Sequence, residues 1–210
     1  MRLNRAFQLN KSGMFGVDAK KLPPVFWECQ PNAGVQFSLA ITTTDPSPLI
    51  DWGDGTVEAY TSGVAKTHTY ATADGTNKYK IRIYRPQLVT KIIDANSTGV
   101  RRGTLTLTQF TALTDIHIRR SSCTGTLDLS ANTLLVTASF YGNSFSGSLD
   151  LSANTLLVNA YFYGNSFSGS LDLSANTLLV DARFSTNSFS GSLDLSANTL
   201  LVNAYFYGNS

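Results

Sequence analysis

The chain has 210 residues, enough for one or two modest domains with a real core. Charged residues make up 14% of it and the net charge is +2, against roughly 25% charged residues in an average soluble domain. No stretch approaches the ~18 apolar residues of a membrane-spanning helix, and no region has the dense basic surface used on nucleic acid, so neither membrane insertion nor a nucleic-acid partner is expected.

Residues 1–22 form a basic lead segment without the apolar run and small-residue cleavage site of a secretory signal, so export by an N-terminal signal is not expected. From 23 to 86, VQFSLAI (35–41) and YKIRIY (79–84) alternate as strands do, around LIDWGDGTVEAY (49–60) and KTHTY (66–70). Asp51 and Asp54 near His68 would also suit a metal or acid–base cluster. Asp-Gly, however, is a turn dipeptide whose aspartate bonds backbone amides, and calcium needs more oxygen ligands than this segment offers. Together these segments resemble the polycystic-kidney-disease (PKD) type of immunoglobulin-like β-sandwich. The resemblance implies a strand running through Trp52 into a tight turn at Gly53, Asp54 and Gly55, with His68 and Tyr70 packing back onto it. It assigns no chemistry.

Residues 87–102 read as a connector or a diverged first coil. Beyond them LDLSANTLLV recurs at 127–136, 149–158, 171–180 and 193–202, a strict period of 22, and 103–124 aligns as a diverged fifth copy. Cys123 falls in the column of Phe145 and reads as a core filler; with Cys29 in the other module, neither a disulfide framework nor a zinc site is indicated. Each unit holds two alternating stretches, SLDLS and NAYFYGN in the copy around residue 160, read as two strands. They send Leu149, Leu151, Ala160 and Phe162 inward. One unit cannot bury that face alone, so residues 103–210 are expected to stack as a solenoid whose last unit is truncated.

Leu157, Ala160, Phe162, Asn165 and Phe167 are spaced as in L-x-x-L-x-L-x-x-N-x-L and resemble the leucine-rich repeat, most closely the short bacterial surface-protein variety. The resemblance implies that Asn143, Asn165, Asn187 and Asn209 form a ladder bonding backbone groups at the turn after the strand. The fold class expected is mainly β: an immunoglobulin-like β-sandwich followed by a leucine-rich-repeat-like β-solenoid with 22-residue coils.

No nucleophile, metal or phosphate motif is present, and no catalytic residue, metal site or cofactor is expected. Asp128, Asp150, Asp172 and Asp194 recur once per coil, either solvated or with cations between them. Variation among the units is confined to Thr137/Asn159/Asp181/Asn203, Ser139/Tyr161/Arg183/Tyr205, Tyr141/Tyr163/Ser185/Tyr207 and Gly142/Gly164/Thr186/Gly208, apart from Thr/Ser exchanges near 124. The first three columns, joined by Asp115, His117 and Arg119 of the diverged unit, alternate along one strand and so share an outward, solvent-facing side. Other outward positions, Asp150, Ser152, Ala153 and Asn154, do not vary. The substituents are those of adaptable contact surfaces, so these fifteen residues are the expected ligand-binding face.

The function expected is a non-enzymatic structural or attachment protein of a virion surface (a decoration, spike or tail-fibre component), or alternatively a secreted bacterial adhesin or a purely structural building block. Its partners would be a host-surface glycan or protein and other subunits of a homo-oligomer or larger assembly.

Overall fold

The computed structural model describes residues 23–29, 36–70, 79–94 and 103–210. The lead segment 1–22, residues 30–35, 71–78 and 95–102 lie outside the described residues, and with them the first residue of the VQFSLAI stretch and the second half of the connector.

The first six strands are short: β1 (Trp27–Cys29), β2 (Gln36–Thr43), β3 (Leu49–Asp51), β4 (Val57–Ala59), β5 (Ala65–Thr69) and β6 (Tyr79–Ile83). A single 3₁₀ turn at Pro86–Leu88 leads into β7 (Val89–Asp94), and β8 (Gly103–Leu105) follows. One sheet is antiparallel with order β4-β3-β6-β1-β8. β2 lies in the other sheet, between β5 and β7. The two sheets meet through aromatic rings: Trp27 of β1 packs edge-on against Phe37 of β2 at 5.0 Å, and Phe37 against Tyr70 at 6.0 Å. Alternation puts Phe37, Leu39 and Ile41 of β2 into this core.

The expected turn forms at residues 51–56. Asp51 Oδ1 accepts the Gly53 N–H at 2.8 Å and Asp54 Oδ1 the Thr56 N–H at 2.9 Å. Gly53 sits at φ +84°, and a Cβ there would lie 2.5 Å from the backbone nitrogen of Lys80, so only glycine fits. His68 stacks on Trp52 at 4.9 Å with its Nε2 2.8 Å from Asp54 Oδ2, and the Tyr70 hydroxyl donates to the Trp52 carbonyl at 2.8 Å. Burial pushes the Asp54 carboxyl up, but the Thr56 amide and His68 outweigh it and hold the group below its usual range. These aspartates are turn-formers bonded to backbone amides and to His68.

The repeats then wind as a solenoid. Its front sheet consists of the parallel strands β9 (Asp115–His117), β11 (Thr137–Ser139), β13 (Asn159–Tyr161), β15 (Asp181–Arg183) and β17 (Asn203–Tyr205). Its second ladder consists of β10 (Thr124–Gly125), β12 (Ser144–Gly147), β14 (Ser166–Gly169) and β16 (Ser188–Phe189). β7 pairs in parallel with β9 and antiparallel with β2, so one eight-stranded sheet runs from β5 to β17 without a break.

The second strand of each coil is not SLDLS but the segment NSFSG before it. The reason is local. In each LDLS segment the aspartate accepts the N–H of the serine two residues on, at 2.9, 2.9, 2.9 and 2.8 Å for Asp128, Asp150, Asp172 and Asp194. That turn takes an amide which a strand would give to its neighbour. The inward leucines remain buried, Leu149 and Leu151 among them.

The core is one continuous cluster from Phe26 to Phe189. Phe140, Phe162, Phe184 and Phe206 stack at 5.7, 5.4 and 5.5 Å, and Phe145, Phe167 and Phe189 at 6.1 and 6.1 Å. Cys123 heads the second column, fully buried and outside any disulfide.

Candidate ligand-binding face

Two asparagine ladders hold the coils in register. Asn165 Nδ2 donates to the carbonyls of Phe140 and Phe162, both at 3.0 Å, while its Oδ1 accepts the Phe145 N–H at 3.2 Å. Asn143, Asn187 and Asn209 repeat the carbonyl contacts. The second ladder was not legible as such in the sequence. Asn154 Nδ2 donates to the Leu129 carbonyl at 3.0 Å and to that of Asn132 at 2.9 Å, and Asn132, Asn176 and Asn198 do the same one coil apart. Asn154 is 0% exposed. Its expected outward position is thus corrected: it is constant because buried carbonyls depend on it. The constancy of Asp150 also has a structural cause in its bond to Ser152.

The aspartate column on the return segment is exposed. For Asp128 and Asp150 the serine hydroxyl, and for Asp172 and Asp194 the serine amide, is the larger influence holding the carboxyl below its ordinary range.

All fifteen expected face residues lie in or directly beside the front sheet. Strand register aligns Lys91, Asp115, Thr137, Asn159, Asp181 and Asn203 in one column, and Ile93, His117, Ser139, Tyr161, Arg183 and Tyr205 in the next. Past the strand ends the coil-to-coil bonds continue, from Arg120 N to Tyr141 O at 3.0 Å and from Gly142 N to Tyr163 O at 2.9 Å. They carry the third column of Arg119, Tyr141, Tyr163, Ser185 and Tyr207.

Not every member meets solvent. Ser139 is 1% exposed, Ser185 4% and Asp181 7%, which corrects their expected exposure. Ser139 stands between His117 and Tyr161, and Ser185 between Tyr163 and Tyr207, so longer neighbours cover them. Asp181 is enclosed by its own partners. The Arg183 guanidinium meets it at both oxygens, 2.9 Å from Nε and 2.8 Å from Nη2, and the Tyr161 hydroxyl lies 3.2 Å away. The same guanidinium sits 5.2 Å from the ring centres of both Tyr161 and Tyr205. Tyr141 and Tyr163 stack at 4.6 Å and 7°.

At the end of the face nearest β7, Arg119 and Arg120 lie 5.9 and 5.6 Å from the Tyr141 ring centre. Burial, followed by the charges of Arg119 and Lys91, holds His117 below its ordinary value against the opposing pull of Asp115. Two residues of this end were missed. Arg120 falls in the column of Gly142, Gly164, Thr186 and Gly208, so the gapless alignment contained the signal. Lys91 joins only through the pairing of β7 with β9, which no local pattern announces.

No protein-family model matches the chain, and no curated protein matches it. Among solved structures it is similar to the BIR3–SERK2 complex from Arabidopsis thaliana, at 22% identity and TM-score 0.49 over 57% of this chain and 68% of that one. It is also similar to the LRR ectodomain of the receptor kinase SOBIR1 from the same plant, at 21% and 0.48 over 65% and 75%. The functional domain of InlJ from Listeria monocytogenes is similar at 25% and 0.37 over 50% and 27%. By its own ladders the chain is mainly β, with almost no helix among the described residues and a C-terminal β-solenoid.

Proposed function

We propose that the chain is a non-enzymatic display protein whose front solenoid face contacts a ligand. The observation that carries this reading is the mutual packing of the side chains on that face. Tyrosines and arginines are held against one another by stacking, cation–π contact and a two-point ion pair. Such groups have already given up rotamer freedom and add contact at low entropic cost. The low charge and the abundance of Ser, Thr, Asn and Tyr support a place on a virion surface, as a decoration, spike or tail-fibre component with host-surface glycans or proteins as partners. The Trp52, Asp54, His68 and Tyr70 arrangement supports a PKD-like sandwich as the unit carrying the solenoid.

The test is binding of the purified chain to a panel of bacterial surface glycans and whole cells, with oligomeric state measured alongside. Saturable binding to a subset of cells is the expected result. No binding to any cell or glycan, with the chain assembling into a homopolymer, would replace this reading with that of a structural building block.

A further inference from the structure

The fifteen-residue face is not electrically uniform. Residues 103–210 contain three Lys/Arg and six Asp/Glu. All three cations, Arg119, Arg120 and Arg183, stand at the front face, while four of the carboxylates lie on the return segment. Arg183 is neutralised in place by Asp181. Among the described residues no carboxylate pairs with Arg119 or Arg120. Asp115, the nearest acidic member of the face, is engaged by the Thr114 hydroxyl at 2.9 Å and Lys91 at 3.9 Å.

The placement of Arg120 is specific. It sits at φ +50°, in the left-handed region where the matching position of three other coils holds glycine. That conformation is unfavourable for a residue with a Cβ. Its side chain runs over Gly142, whose missing Cβ would lie 3.0 Å from the Arg120 Cγ, and so reaches Tyr141. The glycine makes room for the arginine, and the arginine brings its charge to 5.6 Å from the centre of the Tyr141 ring, which stacks on Tyr163.

We infer that Arg119 and Arg120, with the edges and hydroxyls of Tyr141 and Tyr163, form a subsite for the carboxylate of an acidic polysaccharide lying along the solenoid axis. The inference rests on the reading of the front face as a binding surface. Both guanidiniums lie near one ring, 5.9 and 5.6 Å from its centre, and a guanidinium fork matches carboxylate geometry. The net charge of the solenoid is negative, so attraction of a polyanion would be local to this subsite. Pitch favours a sugar chain over a peptide. Face columns repeat about every 4.8 Å, whereas an extended peptide presents same-side groups about every 6.6–6.8 Å. A hexose unit is about one strand spacing long and falls in step.

The experiment is calorimetric titration of the full chain with polygalacturonate, hyaluronate and polysialic acid, and with methyl-esterified polygalacturonate, dextran and polyglutamate as comparators. The variants are Arg119→Gln and Arg120→Asn, asparagine being tolerant of a left-handed backbone, plus Lys66→Gln on the distant sheet edge. Thermal melts check each fold. Expected is binding to at least one carboxylated polysaccharide, lost on esterification, weakened at least tenfold in both arginine variants and unchanged in Lys66→Gln. Equal binding of the esterified polymer, or arginine variants that bind as wild type, would overturn the anion subsite and leave the binding face standing. Polyglutamate binding as tightly would overturn the saccharide assignment. Binding of none of the three acidic polymers would overturn the inference, while cell binding in the separate panel would still report on the face.

Discussion

Asn154→Ala is the sharpest test of the coil register. The side chain donates to two buried carbonyls, and each of those keeps one other donor: Leu129 O also accepts the Asn132 N–H at 3.0 Å, and Asn132 O the Leu135 N–H at 3.2 Å. No carbonyl is therefore orphaned, and the loss is that of two hydrogen bonds at about 0.5–1.5 kcal/mol each. Truncating a fully buried side chain adds a packing loss, and removing the unpartnered Oδ1 gives a little back. A net destabilisation of about 2 kcal/mol is expected. Asn154→Asp keeps the volume but turns a carboxylate toward those two carbonyls in a buried place, so it is expected to cost more than the alanine. Urea titrations of wild type, both variants and the exposed comparator Asp150→Asn would measure the order. The comparator is expected within about 1 kcal/mol of wild type. An Asn154→Ala loss below about 0.5 kcal/mol, or Asp milder than Ala, would refute the ladder.

Three more outcomes are expected. Phe162→Ala removes a fully buried ring stacked between Phe140 and Phe184 and should cost about 3–5 kcal/mol, against about 1 kcal/mol for its outward neighbour Tyr161→Ser; equal losses in denaturant would mean the facing is wrong. Thr186 is β-branched at φ +54°, where three other coils hold glycine, and Thr186→Gly should stabilise by about 1 kcal/mol in a thermal melt, relief of roughly 1–2 kcal/mol of strain partly offset by glycine's chain entropy. His117 is held below its ordinary 6.5, so as the pH drops below that value the unfolded chain takes up a proton that the folded chain resists, and stability falls toward the lower folded pKa. Melting from pH 7.5 to 5.5 should therefore fall more steeply for wild type than for His117→Gln, and parallel curves would contradict the shift.

Much of the fold was legible because its signals are local and repeated. The 22-residue period and the inward Phe and Ala positions follow from spacing within one coil, and the Asn143-to-Asn209 ladder from the resemblance to the leucine-rich repeat. The turn at Asp54 follows from its Asp-Gly dipeptide. Most of what was not legible depends on partners distant in sequence, the LDLS turn being the local exception. LDLS alternates like a strand, yet its aspartate claims the amide a ladder would need. Asn154 looks polar and outward until the carbonyls of the preceding coil are in place. The continuous sheet through β7 rests on pairing between Lys91–Ile93 and Asp115–His117, outside the 22-residue register. On the face, unit-to-unit variation and alternation identified the columns, but only their stacking shows Asp181 and Ser139 covered, Arg119 half-exposed and Arg120 exposed.

The most direct test of the central claim is a cell-binding titration comparing two variants with wild type. One carries Ser at Tyr161, Tyr163, Tyr205 and Tyr207 on the front face. The other carries Asn at Asp128, Asp150, Asp172 and Asp194 on the return segment. A front-face variant that folds but loses binding, beside a return-segment variant that keeps it, is the predicted result. Undiminished binding by the front-face variant, or loss confined to the return-segment variant, would contradict the account.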